Sequence, residues 1–192
     1  MLVFNGGTFN IAILRCCASN SLEQWCRTIG WTETEEDNIN SSLPTFSVVR
    51  DPLPRFAHGF TEKMIKMWTG NNAFNKPHEY FVMESAVERL SDGALTEMIE
   101  SILKEDWLNN WTEDQHIRLQ SDWLSIFSYV TLVSIDNMAQ YFQQLSDIPI
   151  PDTTYKVSNF TKHLIDLSYN SCKNNDEVKK FIQPDIELTK EL

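Results

Sequence analysis

Val3-Phe4-Asn5-Gly6-Gly7-Thr8-Phe9-Asn10 is the stretch on which the reading of this chain turns. Leu2 to Phe4 is a short apolar run ended by Asn5-Gly6-Gly7, and Ile11, Ile13, Leu14 and Cys17 follow at a spacing that predicts a helix from Phe9 onward. The expected unit is strand, glycine turn, helix. Such a turn presents backbone N–H groups at a helix N-terminus, where the helix dipole places about half a positive charge. Glycine lets a phosphate approach the main chain, and Thr8 adds a hydroxyl donor. A plain Gly-Gly turn without a ligand is the competing reading. The segment lacks the G-x-x-x-x-G-K-[ST] pattern and holds no lysine.

Working outward, Phe46 to Val49 is a second β-branched apolar run, followed by Arg50-Asp51-Pro52-Leu53-Pro54-Arg55. Pro fits the first turn of a helix, and Phe56, Phe60, Met64, Ile65 and Met67 then recur at helical spacing. Tyr129 to Ile135 is the third strand, with Asp136 expected to cap a helix over 137–145. Helices are also predicted over 80–90, 94–107, 158–167, 177–182 and 185–192. Strands alternating with helices predict an α/β fold, a small, mainly parallel sheet flanked by helices, in one domain over residues 1–192. In such sheets ligands sit beyond the C-terminal strand ends, where the Gly6-Gly7-Thr8 turn and Arg50 are both expected. The planar fork of Arg50 suits a phosphate. Asp51 is placed to pair with Arg55, the alternative to Arg55 on an anion. His58 lies about two helical turns beyond Pro52, within reach of the same crevice.

Composition narrows the functional classes. Of 192 residues, 42% are hydrophobic, enough for a real core. Asp plus Glu number 27 against 16 Lys plus Arg, and the net charge of −11 argues against unspecific binding to nucleic acid or anionic lipid. No apolar run reaches the roughly 18 residues of a membrane span. Cys16, Cys17, Cys26 and Cys172 form no C-x-x-C pair and no zinc-spaced cluster with histidine, so no metal is expected. The N-terminus lacks a basic n-region and reads as no signal peptide, and the expected location is cytoplasmic.

The Arg50-Asp51-Pro52-x-x-Arg55 segment after a β-run resembles the 3'-phosphate-binding segment of sulfotransferases that use 3'-phosphoadenosine 5'-phosphosulfate (PAPS), in particular the carbohydrate sulfotransferase-like branch. Asp114-Gln115-His116-Ile117-Arg118-Leu119-Gln120 is similar to that branch's Asp-x-His-x-x-x-Gln segment. The 129–138 stretch resembles a later strand with its helix. Phe181, Asp185, Glu187 and Leu188 resemble a C-terminal Tyr-x-x-Asp-x-x-Leu helix. The resemblance implies a P-loop NTPase-like sulfotransferase fold and PAPS as sulfonate donor. Gly6, Gly7, Thr8, Phe9 and Asn10 would line the 5'-side, and Arg50 would hold the 3'-phosphate. His58 would stand where the family has a serine on that phosphate. Asn5 falls where the family's loop lysine neutralises the leaving phosphate. Losing a preorganised charge there costs on the order of 10²–10³ in rate.

The implied reaction is metal-free sulfonate transfer to a hydroxyl of a carbohydrate or other small acceptor. It needs in-line placement, a base on the acceptor and donors on the leaving group. His116 is the first candidate base and Asn5 the candidate loop donor, with Lys63 or Lys66 as substitutes for the missing lysine. Glu79 and Glu84 are possible carboxylate bases, and His78 and His163 read as surface residues. Trp68, Trp107, Trp111 and Trp123 would form an acceptor platform or, more ordinarily, core. Two alternatives remain: a PAPS-binding protein that has lost catalysis, and a P-loop kinase-like phosphotransferase.

Overall fold

The computed structural model describes residues 1–69, 89–104, 114–151, 158–190 and 192. The predicted helix over 80–90, apart from its last two positions, lies outside the described residues, as do His78, Glu79, Glu84, Trp107, Trp111 and the side chain of Trp68. The chain groups into two compact units. The first comprises Met1–Pro52, Arg118–Tyr155 and Pro184–Leu192; the second comprises Leu53–Ile117 and Lys156–Gln183.

The first unit holds a five-stranded sheet: β1 (Leu2–Asn5), β2 (Asn10–Ile13), β3 (Thr32–Thr34), β4 (Thr45–Val49) and β5 (Val130–Ser134), in the order β3-β1-β2-β4-β5. The sheet is mixed, not mainly parallel as expected. β1 pairs antiparallel with β2 and β3, whereas β2, β4 and β5 run parallel. The difference originates in the opening stretch. Phe9 onward is not a helix: Asn5-Gly6-Gly7-Thr8-Phe9-Asn10 turns the chain back as a hairpin, with the Gly6 N–H donating to the Phe9 carbonyl at 3.0 Å. Every residue of β2 is buried, so its apolar run does not alternate, and a short continuous run reads equally as a buried helix turn.

Both glycines have structural reasons to be there. A Cβ on Gly6 would come within 2.7 Å of the Trp31 ring, and Gly7 adopts φ 92°, which disfavours any side chain. The remaining elements of this unit are α1 (Ser19–Thr28), and, after α2 and α3 below, α4 (Gln120–Leu124) and α5 (Met138–Phe142). α1 buries Leu22, Trp25 and Cys26, one helical stripe, against Phe4, Ile11, Ile13, Leu14, Val48, Val49 and Phe142. Burial pushes the Cys26 thiol up to about 12. The Trp25 indole N–H donates to the Ile148 carbonyl at 2.7 Å, so the polar handle of a fully buried ring is satisfied. Asp136 does not cap a long helix. A 3-10 turn over Ile135–Asn137 precedes α5, and Ser134 Oγ accepts from the Asp136 N–H.

The second unit is helical. It contains α2 (Pro52–Thr69) beyond its first residue, α3 (Asp92–Lys104), α6 (Asn159–Lys173) and the first half of α7 (Asp176–Thr189). Phe56, Phe60 and Met64 lie one turn apart on α2 and pack with Leu95, Ile99 and Leu103 of α3 and Leu164 and Cys172 of α6. Thr61 fits this apolar seam because its hydroxyl bonds the Ala57 carbonyl and Ser168 Oγ, both at 2.9 Å. Ser158 caps α6 by accepting from the Thr161 N–H. The two C-terminal helices expected from sequence are one helix, α7, which continues through Pro184. Among the described residues no helix is long and apolar enough to cross a membrane.

Candidate functional site

The hairpin sends the sequence-predicted loop to the wrong end of the sheet for its expected partner. Asn10 pairs with Thr45 at the start of β4, whereas Arg50 follows Val49 at its end. Five residues of strand at about 3.3 Å each separate those levels by roughly 16 Å. Gly6, Gly7 and Thr8 therefore do not share a crevice with Arg50. Asn5 is a turn-closing residue: its Oδ1 accepts from the Gly7 N–H at 2.7 Å and its Nδ2 donates to Asn10 Oδ1 at 3.1 Å. Asn10 is buried and donates to the Asn40 carbonyl and Thr45 Oγ1. Phe9 stacks edge-on against Trp31 and Phe46, with centroids 5.0 and 5.1 Å apart.

A different loop occupies the place expected of the glycine turn. β2 runs into Leu14-Arg15-Cys16-Cys17-Ala18 and then into α1, the strand–turn–helix unit that the first strand lacks. Cys16 and Ala18 have left-handed φ of 62° and 55°, at about 1–3 kcal/mol each for residues that carry a Cβ. Ala18 is the N-cap of α1 and offers no side chain to its first-turn amides. Within this turn the Cys17 N–H donates back to the Leu14 carbonyl at 3.3 Å. Arg15 follows the last residue of β2 by two positions, and Arg50 directly follows the last residue of β4. Both arginines are half-buried.

Gln120 joins the two strand ends. Its Oε1 accepts from Cys17 Sγ at 3.3 Å and from the Arg50 N–H at 3.0 Å, and its Nε2 donates to the Arg50 carbonyl at 3.0 Å. Gln120 is in turn fixed by Asp185. The carboxylate accepts from the Gln120 and Ser121 N–H groups, each at 2.8 Å, and from Ser121 Oγ at 2.9 Å. The Asp185 charge is thus spent on the N-terminus of α4. Arg55 is fully buried and is no surface anion ligand. Trp123 is no open platform: the Arg118 guanidinium lies 4.1 Å over its ring.

The two histidines named from sequence lie in the second unit and share a carboxylate. His58 Nε2 is 3.5 Å from Glu62 Oε1, and His116 Nε2 is 3.2 Å from Glu62 Oε2. The other ring nitrogen of His116, Nδ1, lies 2.8 Å from Asp114 Oδ1, and Lys63 Nζ donates to Asp114 Oδ2 at 3.0 Å. The expected Lys63 and Lys66 thus stand beside Asp114 and His116, Lys66 Nζ being 3.4 Å from His116 Nδ1. Burial works against the charge of both carboxyls. For Glu62 the hydrogen bond to His58 and the attraction of His116, His58 and Lys66 outweigh it; for Asp114 the bonds to His116 and Lys63 do, and both groups are held below the usual carboxylate range. Gly59 makes the cluster possible: a Cβ there would fall 2.2 Å from the His116 carbonyl oxygen. His163 pairs with Asp92 on the exposed surface.

The glycine pair closes a hairpin, and the strand that leads through a turn into a helix is β2. The signal that points to the observed loop is Ile11-x-Ile13 followed by Leu14-Arg15-Cys16-Cys17-Ala18 and an amphipathic run from Ser19, read after a hairpin. Among the described residues no group of three or more His, Cys, Asp or Glu side chains is arranged to hold a metal ion. No protein-family model matches the sequence, and neither a curated protein nor a solved structure matches the chain.

Proposed function

We propose that the chain is a PAPS-dependent sulfotransferase whose donor site lies at the C-terminal ends of β2 and β4. In this reading the Cys16–Ser19 turn and Arg15 take the 5'-phosphosulfate, and Arg50 takes the 3'-phosphate. The observation that carries it is the bond set of Gln120, which ties the loop after β2 to the backbone of Arg50. Further support comes from the segments that resemble the family. Arg50, Gln120 and Asp185 stand in three of them, far apart in sequence, and direct hydrogen bonds connect them. Arg15 also answers the absence of a lysine near Asn5, since it puts a permanent cation at the turn that follows a parallel strand.

The chemistry asked of this edge is transfer of a sulfonate group to a hydroxyl of a carbohydrate or other small acceptor. Bridging-oxygen charge develops on the departing phosphate, and main-chain amides with a guanidinium are the groups that stabilise it without a metal. Calorimetric titration with 3'-phosphoadenosine 5'-phosphate tests the donor site. Arg50→Ala and Arg15→Ala are each expected to weaken binding by roughly 1.5–3 kcal/mol, the worth of a charge-assisted bond. Absence of binding, or equal affinity in both variants and wild type, overturns the assignment. Labelled PAPS with hydroxylated acceptors then separates an enzyme from a protein that binds the nucleotide without transferring the group.

A further inference from the structure

We propose that Glu62 is a positioning residue for His116, and that Asp114 and Glu62 together hold the ring as a two-sided hydrogen-bond donor. The arrangement lies wholly within the second unit and stands independently of the nucleotide reading. His116 presents Nδ1 to Asp114 Oδ1 at 2.8 Å and Nε2 to Glu62 Oε2 at 3.2 Å. Both partners are carboxylates, which at their ordinary values are ionised near neutral pH, and an ionised carboxylate only accepts. Each contact is a hydrogen bond only when its ring nitrogen carries hydrogen. A ring with hydrogen on one nitrogen alone would turn a lone pair on one of the two oxygens.

The other charged groups around the ring do not reverse this. Among the described residues they are Lys63, Lys66, His58 and Glu62 from α2, and Asp114 from the turn that carries His116. Lys63 is committed to Asp114 Oδ2 at 3.0 Å, and His58 Nε2 sits 3.5 Å from the far oxygen of Glu62. Lys66 Nζ is the opposing influence at 3.4 Å from Nδ1, but the Asp114 oxygen is closer, at 2.8 Å. Two carboxylates in contact outweigh one ammonium at a longer distance. The backbone strengthens the clamp: the His116 N–H donates to the same Asp114 Oδ1 at 3.0 Å, and Gly59 lets α2 approach the His116 carbonyl closely enough for Glu62 to reach the ring.

A ring engaged on both sides has no lone pair with which to take a proton. In this state His116 donates, and accepting a proton from a hydroxyl requires that the ring first give up its Nε2 proton, for which the Glu62 carboxylate at 3.2 Å is the adjacent acceptor. This differs from the base role that the sequence suggests.

Nitrogen-15 labelling of the histidines in the full-length protein tests the proposal without any assay of activity. At pH 6 wild type is expected to show two exchange-protected ring N–H signals for His116, each correlated to its nitrogen. Glu62→Ala should abolish the Nε2–H signal and leave Nδ1–H. Glu62→Gln should restore it, because the amide oxygen still accepts. Asp114→Ala should remove Nδ1–H instead. Wild type alone decides if the alanine variants do not fold: absence of a protected Nε2–H signal overturns the proposal. An unchanged Nε2–H signal in Glu62→Ala overturns it equally. Failure of nucleotide binding bears only on the donor site and leaves this result intact.

Discussion

Gln120 satisfies both backbone hydrogen-bonding groups of Arg50, accepting from its N–H and donating to its carbonyl, each at 3.0 Å. A glutamine side chain used this way acts as one more strand residue at the end of β4, holding the backbone on which the Arg50 guanidinium is mounted. Gln120 is itself fully buried. Gln120→Ala is expected to lower the unfolding free energy by about 2–4 kcal/mol, since three hydrogen bonds are lost and the half-buried Arg50 backbone loses both of its Gln120 partners. Chemical denaturation at neutral pH measures this. A loss within 0.5 kcal/mol of wild type (about the scatter of a surface substitution) would mean that water replaces the amide at no cost.

Asn5→Lys separates the two candidate loops. Were Asn5 at the donor site, a lysine there would raise sulfonate transfer. Because Asn5 closes a hairpin at the opposite end of β2 and β4, the expected outcome is no gain in transfer and no change in nucleotide affinity. The cost falls on stability, about 1 kcal/mol, from the lost bonds to Gly7 and Asn10. Thermal unfolding and a binding isotherm on the same sample settle it; tighter binding would return the glycine turn to the site.

Gly59→Ala tests the close approach of α2 to the His116 turn. In an exposed helix, Ala for Gly is stabilising by up to about 1 kcal/mol. Here the new methyl meets a backbone carbonyl oxygen at 2.2 Å, an atom that moves only with its chain segment. Destabilisation of about 1–3 kcal/mol is expected, together with displacement of the His116 ring signals. A variant more stable than wild type would show that the turn yields freely.

Acid should unfold the protein partly through Asp114 and Glu62. Their ordinary values are 3.8 and 4.5, and both are held lower in the folded chain. The unfolded chain therefore binds protons first as pH falls. The stabilisation is fully present above about pH 5.5 and is lost progressively as pH drops through the unfolded values toward the folded ones. Denaturation midpoints measured between pH 7 and pH 3 should fall, and Asp114→Asn should flatten that dependence. A slope identical to wild type would assign acid sensitivity to other carboxyls.

Much of the fold was legible where two levels of pattern agreed. β4 and α2 combine a β-branched run, a proline at the first helical turn and phenylalanines one turn apart, and the elements form where those signals place them. β5 was legible for the same reason. β2 was not, because four buried residues give no alternation, and its helix-like spacing came from reading across the strand into the following turn. That one error moved the sheet from mainly parallel to mixed and moved the candidate loop from Gly6–Thr8 to Arg15–Ser19. Arg50 needed only its place after a strand. The shared use of Glu62 by His58 and His116 was illegible, since it depends on the 114–117 turn folding back onto α2. Pro184 misled in the opposite sense, suggesting a break where the helix continues.

The sheet is stitched from pieces that leave the ribosome far apart in time. Thr45 of β4 must wait for Val130 before its outer edge is covered, and the first segment of the helical unit, Leu53–Ile117, is synthesised in between. Asp185, which secures Gln120, arrives 65 residues after it. A nascent chain therefore carries an open strand edge from Val49 until Val130 is made, a state prone to pairing with neighbours. Pairing of that edge with another chain competes with native folding until β5 is made.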